Sequence, residues 1–328
     1  MIHEESPDTS SSLPKTVLVL GASSLVGDYL LPLLSRAGYE VHALSRKPQP
    51  AQSSNSAFGI QWHIADVDKF QELAALPGCA NVISLLPLWK LPFAADILRA
   101  RGMRRLLAFS STSALTKANS PDDAERALAE RLRAAENALW ELNRTGAEDV
   151  AKIALTLFRP TLIYDGSRDR NVTRIARILT RHGILPLPGK GEGLRQPVHA
   201  EDLAIAALQA LVTPDSHDRC YELGGGETLT YRAMVERIAL ALSRRVRILS
   251  LPSPFFALAR AALFLLRPPS PLSRLFPRLA SISPEALRRI NQDMTFDWSA
   301  AARDFNYTPR AFHPEFPWQN RTKAKKRI

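Results

Sequence analysis

The sequence predicts an α/β fold, in which a doubly wound parallel sheet is followed by a smaller, mostly helical C-terminal domain. Short apolar runs alternate with amphipathic segments from Lys15 onward, and this alternation favours a parallel sheet with helices on both faces. A glycine-bearing turn separates the first apolar run from the first amphipathic segment. After Pro160 the pattern changes to helical spacing interrupted by loops rich in glycine and proline, which indicates a second domain.

Apolar runs and the segments between them define the predicted elements of the first domain. TVLVL predicts the first strand and LVGDYLLPLLSRAG the first helix, which ends at Gly38, a residue type favoured at helix C-termini. A long helix with one apolar face is predicted from Ser120. The later strands are predicted at YEVHALSR, IQWHIADV, NVISLLP, RRLLAFSS and KIALTLFRP.

Composition narrows the classes of function. The chain has 328 residues, enough for a sizeable core, and a formal net charge of +11. This charge favours anionic ligands or surfaces, but the basic run at 323–328 has no stacking aromatic residues beside it, so no nucleic-acid partner is expected. The two cysteines, Cys79 and Cys220, match no disulfide or metal spacing, so we expect no metal site and a cytoplasmic location.

The turn after the first strand, GASSLVG, is a candidate phosphate-binding loop. Gly21 and Gly27 allow a tight turn, and the backbone at Ser23, Ser24 and Leu25 opens a helix whose first amides can hold a pyrophosphate. Ser24 replaces a middle glycine, which either limits close approach of the ligand or adds a hydroxyl contact. The position between an apolar strand and a helix is typical of dinucleotide binding, and a plain packing turn is the alternative.

Three further residues bear on the identity of the dinucleotide. The second strand ends in Ser45 and Arg46, without the carboxylate that would bind the ribose of NAD. An arginine there can pair with the 2′-phosphate of NADP, so NADP is the preferred cofactor and NAD the alternative. Without a cofactor role, Arg46 would simply be an exposed arginine of the loop. Asp66, followed by Val67 after the third strand, is a candidate ligand of the adenine or a cap of its own loop.

Several separated stretches resemble the short-chain dehydrogenase/reductase superfamily, in its extended or atypical NAD-dependent epimerase/dehydratase branch, with NmrA-like and complex I accessory-subunit-like relatives. They are GASSLVG, ADV at 65–67, FSST after the fifth strand, FRPTLIYDG at 158–166 and QPVHAEDLA at 196–204. The resemblance covers about residues 15–245. It implies a Rossmann-type fold that binds NAD(P), with cofactor contacts also at Leu85, Ser110 and Pro160.

The resemblance implies a role for Thr112 but not a complete catalytic site. In the family, a serine or threonine just after the fifth strand orients the substrate, and Thr112 matches that position. A Tyr-x-x-x-Lys pair on the next helix transfers the proton, because the lysine lowers the pKa of the tyrosine. Here no tyrosine occurs between Tyr39 and Tyr164, and Lys117 precedes the helix.

The positions of the missing pair are predicted to have become packing surface. Aligning the helix by Glu136 places Leu128 and Leu132 at the tyrosine and lysine positions. A slip of one residue places Ala129 and Arg133 there instead, so neither register restores the pair.

Three residues in loops that face the cleft in the family are candidates for other roles. Tyr164 is a candidate catalytic residue and His199 a candidate substrate ligand, although a lone tyrosine or histidine in such a loop is more often structural. Arg195, just before QPVH, is either a bidentate donor to a substrate phosphate or a surface residue.

These observations leave two functions open. The first is an NAD(P)-dependent oxidoreductase or nucleotide-sugar epimerase/dehydratase-like protein with an atypical active site and a small, anionic substrate. The second is a non-catalytic NADPH-binding sensor, or an accessory or assembly protein. The nearly complete family pattern and the positive charge favour the first, and the missing proton-transfer pair favours the second.

The same patterns predict the domain bounds. We expect a disordered leader at 1–14, the NAD(P)-binding domain at 15–165, a substrate-side domain at 166–311 with one return near 197–212, and a basic tail at 312–328. The apolar stretch 251–266 is too short to span a membrane. With the tail, it is a candidate for peripheral contact with a membrane or a protein, and the oligomeric state is left open.

Overall fold

A computed structural model describes residues 15–47, 59–144, 152–244, 246–252 and 284–319. The predicted leader, almost all of 251–266 and the basic run at 323–328 lie outside these residues, so the expectations for them stay predictions. In the described part of the chain, no helix is both long enough and apolar enough to cross a membrane.

A parallel sheet organises the described residues. The strands are β1 (Lys15–Leu20), β2 (Tyr39–Ser45), β3 (Gln61–Ile64), β4 (Asn81–Ser84), β5 (Arg105–Phe109), β6 (Ala154–Pro160), β7 (Ile163–Tyr164), β8 (Ile184–Pro188), β9 (Leu194–Arg195), β10 (Val198–His199), β11 (Arg219–Leu223), β12 (Leu229–Thr230) and β13 (Arg247–Leu251). Seven of these described strands pair in parallel in the order β11-β6-β5-β4-β1-β2-β3. This order confirms the predicted α/β fold with a doubly wound sheet.

Helices cover both faces of the sheet. They are α1 (Leu25–Arg36), α2 (Phe70–Ala74), α3 (Leu91–Ala100), α4 (Ser113–Thr116), α5 (Asp123–Arg144), α6 (Val172–His182), α7 (Ala200–Val212), α8 (Tyr231–Ala241), α9 (Pro284–Arg288) and α10 (Ser299–Phe305). All of β5 is buried, because a parallel strand in the middle of the sheet is covered on both faces.

Alternate residues of β1 belong to two different hydrophobic cores. Val17 and Val19 pack in the core that contains the apolar faces of α1 and α7. Leu18 and Leu20 pack in the core that contains α3 and the inner face of α5. Successive side chains of a strand point to opposite faces, so one apolar run supplies both layers.

The C-terminal side combines helices with short pairs of strands. In the described residues, α6 and α8 share a third core with Tyr164 and Phe312. The pairs are β7 with β10, β9 with β12 and β8 with β13. Two later segments also pack on the first core: α7 lies against α1, and Phe305 at the end of α10 contacts Phe158 of β6 with ring centroids 5.9 Å apart. The exact domain bounds stay a prediction.

Candidate functional site

A cleft opens at the carboxyl ends of β1, β4, β5 and β6, where the strand order reverses. Ligands of doubly wound sheets bind at this place. The cleft contains two cavities of about 520 and 450 Å³, which adjoin each other because Ser24, Leu25 and Ile163 line both. We call the first, which extends toward α6, the basic cavity, and the second, which extends toward α5, the apolar cavity.

The turn between β1 and α1 has the close backbone packing that its glycines predict. Gly21 has a φ of +69°, and a Cβ there would lie 3.0 Å from the backbone carbon of Leu85. A Cβ on Gly27 would lie 2.0 Å from the carbonyl oxygen of Ala22. Ser24 caps the helix, because its Oγ accepts a hydrogen bond of 3.1 Å from the Gly27 amide. The turn therefore presents the positive end of α1 to the cleft, which suits a bound phosphate.

Arg46 and Asp66, the predicted contacts for the adenosine half, lie in loops after β2 and β3. Arg46 is exposed. The Asp66 Oδ1 accepts a hydrogen bond of 3.2 Å from the Asp68 amide, so this carboxylate caps its own loop. Val67 is buried in the second core. The cofactor roles of these three residues stay predictions.

The hydroxyl residues after β5 point in different directions. Ser110, Ser111 and Ser113 line the apolar cavity, together with Leu85 and Pro160. The Thr112 Oγ1 instead donates a hydrogen bond of 3.2 Å to the carbonyl oxygen of Pro160 and is buried. Thr112 is not among the residues that line either cavity, and its predicted catalytic role stays a prediction.

A buried carboxylate fixes the orientation of Ser110. The Ser110 Oγ donates a hydrogen bond of 2.5 Å to the Oε1 of Glu136. Arg159 donates to both oxygens of the same carboxylate, over 3.0 and 2.6 Å, and this bond raises the pKa of Arg159. Because its proton is directed at Glu136, Ser110 presents lone pairs to its other surroundings.

Tyr164 and His199, two of the predicted site residues, are brought together away from the cavity walls. Their ring centroids are 5.1 Å apart, and Tyr164 also contacts Phe312. Tyr164 is 1% exposed, and burial raises its pKa to about 12. The His199 Nδ1 accepts a hydrogen bond from the Glu201 amide at the start of α7, and burial lowers its pKa. These contacts are structural, and the functional roles of both residues stay predictions.

Arg195, the predicted phosphate ligand, is buried and bonded to the backbone. Its guanidinium donates to the carbonyl oxygens of Leu194, Gln292 and Arg289. It lies over the ring of Tyr231, with Cζ 5.6 Å from the ring centroid. Burial lowers the pKa of Arg195. The described contacts of Arg195 therefore connect β9 to the segment after α9.

The apolar cavity has residues in its wall that the sequence analysis did not single out. Trp89 and Leu88, after β4, face the α5 residues Leu128 and Leu132 across it. The Cζ of Arg131 lies 4.3 Å from the centroid of the Trp89 ring. Among the described residues, those that line this cavity carry no titratable side chain. A single tryptophan in an apolar run gives no signal that would identify it as part of a site.

The basic cavity likewise includes residues that sequence analysis missed. Arg168 and Arg170 line it beside Ser23 of the turn between β1 and α1. Arg168 forms an ion pair with Asp28 in the first turn of α1. Burial raises the pKa of Asp28, and the Arg168 guanidinium opposes this rise. The run SRDRN after Gly166 was the available signal, since it collects two arginines next to a glycine turn.

Comparison with known proteins finds a family match in the part of the chain that contains the turn between β1 and α1. Residues 17–86 match the sequence model of the family described as "NAD dependent epimerase/dehydratase family". This segment runs from β1 through the turn before α1 to the residues just after β4. The match confirms the resemblance predicted from the sequence.

Individual relatives cover more of the chain at lower identity. The NAD(P)H azoreductase of Xenophilus azovorans is 24% identical over 232 residues, which are 70% of this chain and 75% of that protein. The mitochondrial NADH dehydrogenase (ubiquinone) 1 alpha subcomplex subunit 9 of Arabidopsis thaliana is 31% identical over 115 residues, 34% of this chain and 28% of that protein. The solved structure of MoeE5 in complex with UDP-glucose and NAD has a TM-score of 0.67 at 19% identity, covering 94% of this chain and 99% of that one. At this identity the structural likeness concerns the fold.

Proposed function

We propose that this protein is an NAD(P)-dependent oxidoreductase that binds the dinucleotide along the cleft and reduces a small molecule without a proton donor from the protein. The observation that carries this proposal is the adjacency of the two cavities. They share the helix-capping Ser24 in their walls, and the second extends to α5. The relatives named above include an NAD(P)H azoreductase and a protein solved with NAD, which supports the same cofactor class.

The residues present fit a dinucleotide. The positions of Gly21 and Gly27 leave no room for a Cβ, as expected where a backbone turn must lie close to a ligand. We assign the pyrophosphate to this turn, the adenosine half to the side of Arg46 and Asp66, and the nicotinamide half to the side of Leu85, Ser110 and Pro160. When bound in reduced form, the dinucleotide supplies a hydride.

The lining of the apolar cavity favours hydride transfer over epimerase or dehydratase chemistry. An epimerase or dehydratase must remove protons from its substrate, which needs a base with a suitable pKa within hydrogen-bond reach. Leu128 and Leu132 line the cavity on α5, and alignment by Glu136 places the tyrosine and lysine of the family at these two positions. An acceptor that takes its proton from solvent needs no such pair.

NADP is the preferred form of the cofactor in this proposal. Arg46 is exposed at the end of β2, and a guanidinium there can bind a 2′-phosphate in bidentate geometry. We expect NADPH to bind more tightly than NADH, and Arg46→Ala to remove this difference. Equal affinities of the native protein for both forms would contradict the preference.

Calorimetric titration with NADPH tests the proposed binding site. We expect Gly27→Ala to weaken NADPH binding more than tenfold, because the new Cβ would clash with the Ala22 carbonyl and open the turn. Gly183→Ala is the matched control. Gly183 caps the C-terminus of α6 at φ +68°, and a Cβ there meets no atom within 4 Å. Gly183→Ala should therefore strain the backbone locally and leave NADPH affinity unchanged.

A second pair of variants separates an effect on NADPH binding from an effect on folding stability. Ser24→Ala and Thr230→Ala each remove a helix cap, with hydrogen bonds of 3.1 and 3.0 Å, and each should cost about 1 kcal/mol of unfolding free energy. Of the two, Ser24→Ala should weaken NADPH binding. Native protein that binds neither NADPH nor NADH at micromolar concentration would overturn the proposal.

A non-catalytic NAD(P)H-binding module is the second candidate function. The lack of titratable side chains among the described residues that line the apolar cavity favours it. This candidate predicts that bound NADPH keeps its nicotinamide absorbance across a panel of nucleotide sugars, azo compounds and carbonyl compounds. Oxidation of bound NADPH by one of these acceptors would exclude it.

A further inference from the structure

The apolar cavity has the chemistry of a site for a flat, uncharged ring. Leu86, Pro87, Leu88 and Trp89 line one side, and Leu128 of α5 lines the other. Its volume of about 450 Å³ lies in the range of sites for small organic ligands. A hydrated sugar would lose its hydrogen bonds to water against these walls, whereas an apolar ring gains from the same burial.

The guanidinium of Arg131 packs against one face of the Trp89 ring at the cavity wall. Its guanidinium carbon lies 4.3 Å from the ring centroid, in a cation–π contact. Trp89 is half-buried and lines the cavity. A tryptophan ring oriented in this way is a suitable platform for stacking with another planar ring.

The hydroxyls of Ser110 and Ser111 form a polar edge of the apolar cavity, and their hydrogen bonds determine which of the two can donate to a ligand. The Ser111 Oγ accepts a hydrogen bond of 3.1 Å from the Ser113 amide, so its own proton is available for donation. The proton of Ser110 is directed at Glu136. Ser111 can thus donate one hydrogen bond to a carbonyl oxygen, while no charged group among the described residues lines this cavity.

We propose that the hydride acceptor is a planar conjugated carbonyl compound of the quinone class. This proposal rests on the proposed function, because the reductant is the bound reduced nicotinamide. The quinone gains a hydride from that nicotinamide and a proton from solvent, which yields the hydroquinone and the oxidised dinucleotide. The Ser111 hydroxyl stabilises the carbonyl oxygen as negative charge develops on it.

This acceptor class agrees with the absence of titratable groups in the described cavity lining. A quinone that has received a hydride is a phenolate, and a phenol has a pKa of about 10, like the tyrosine side chain. Solvent protonates such an anion readily. The alkoxide of a reduced simple ketone is far more basic, which is why such substrates need a proton donor in the site. The arginines of the basic cavity lie beside the phosphate-binding turn, so they suit the dinucleotide rather than an anionic acceptor.

Binding of duroquinone to protein saturated with NADP⁺ tests the proposal without turnover. Duroquinone is fully substituted and does not alkylate cysteines. We expect saturable quenching of tryptophan fluorescence, and we expect Trp89→Phe to remove most of the quenching while Trp62→Phe, on β3, keeps it. UDP-glucose, the comparison ligand, should give no saturable signal.

Matched variants test whether duroquinone binds in the apolar cavity. Leu128→Gln should weaken duroquinone binding at least tenfold, whereas Leu240→Gln, at a position that is 79% exposed on α8, should leave it unchanged. Ser111→Ala should weaken binding about fivefold, as expected for one lost hydrogen bond. Unchanged duroquinone affinity in Leu128→Gln, or binding of UDP-glucose in place of duroquinone, would overturn the proposal. NADPH titration of the same preparations separates the outcomes: if NADPH fails to bind, the proposed function itself is wrong.

Discussion

Glu136 connects a cavity-lining hydroxyl to a strand through one buried carboxylate. Its side chain is 3% exposed and accepts hydrogen bonds from Ser110, directly after β5, and from Arg159 on β6. Arg159 is also bonded to Glu222 on β11, so the network crosses three neighbouring strands. Buried charges of this kind cost little while they are paired and cost much when one partner is removed.

We therefore expect Glu136→Gln to lower the free energy of unfolding by about 3 kcal/mol, because it leaves the Arg159 charge without its main partner. Glu141→Gln is the control on the same helix. Glu141 pairs with Arg144 at the surface, where the side chains are 57% and 76% exposed, and its loss should cost less than about 0.5 kcal/mol. Urea denaturation measures both values, and equal costs would refute a special role for Glu136.

At the residue level, the sequence alone predicted the tight turn between β1 and α1, but not the orientation of the Thr112 hydroxyl after β5. Gly21, Ser24 and Gly27 act within seven residues of one another, so local pattern was sufficient. Thr112 donates to the carbonyl of Pro160, which is 48 residues away in the chain. That long-range bond directs Thr112 away from the cavity lining, and no local pattern predicts it.

Helix α5 is attached at its first turn to the C-terminal part of the chain. The helix begins at Asp123, a little after the predicted start at Ser120, and the Asp122 Oδ1 accepts a hydrogen bond of 2.9 Å from the Ala124 amide. Glu125, whose side chain is 10% exposed, accepts from Ser120 and forms an ion pair with Arg289. Burial alone would raise the pKa of Glu125, but the hydrogen bonds from Arg289 and Ser120 outweigh burial and lower it below 4.5.

A lowered pKa in the folded state gives a defined pH dependence. The contribution of Glu125 to stability is complete above the unfolded pKa of 4.5 and is lost as the pH falls through the lower folded value. We expect Glu125→Gln to cost about 2 kcal/mol of unfolding free energy at neutral pH, and this difference from the native protein to disappear in strong acid. Glu130→Gln, at an exposed position of the same helix, should show no such dependence. A cost for Glu125→Gln that is independent of pH would contradict the ion-pair explanation.

At the level of elements, the alternation of apolar runs and amphipathic segments was sufficient to predict the strands that precede each helix, because buried parallel strands are almost entirely apolar. β11 was harder to recognise. It carries Arg219 and Glu222 within five residues and lies at the edge of the described sheet, where only partial burial is required. Glu222 pairs with Arg159 of the neighbouring strand β6, and the sequence of β11 alone does not predict this contact.

The molecule as a whole carries a net charge of +11, part of it in the basic run at 323–328. We expect the protein to co-sediment with phosphatidylserine vesicles at low salt and to be released at high salt, since screening weakens attraction between exposed charges. Changing Lys323, Lys325 and Lys326 to Gln should abolish the binding. Changing the same number of exposed lysines elsewhere, Lys69, Lys152 and Lys190, should reduce it much less. Absence of sedimentation at low salt would rule out a membrane contact of this kind.

The two cores that share β1 have a consequence for how the chain finds its register. A slip of one residue would exchange Val17 and Val19 with Leu18 and Leu20, and every one of these side chains would still enter an apolar layer. Polarity therefore does not reject the slipped arrangement of these four residues, although the volumes of valine and leucine oppose it. Gly21 opposes it as well, because a slip would place another residue at φ +69° with its Cβ 3.0 Å from the backbone carbon of Leu85. A glycine of the proposed phosphate-binding turn thus also helps to fix the register of β1.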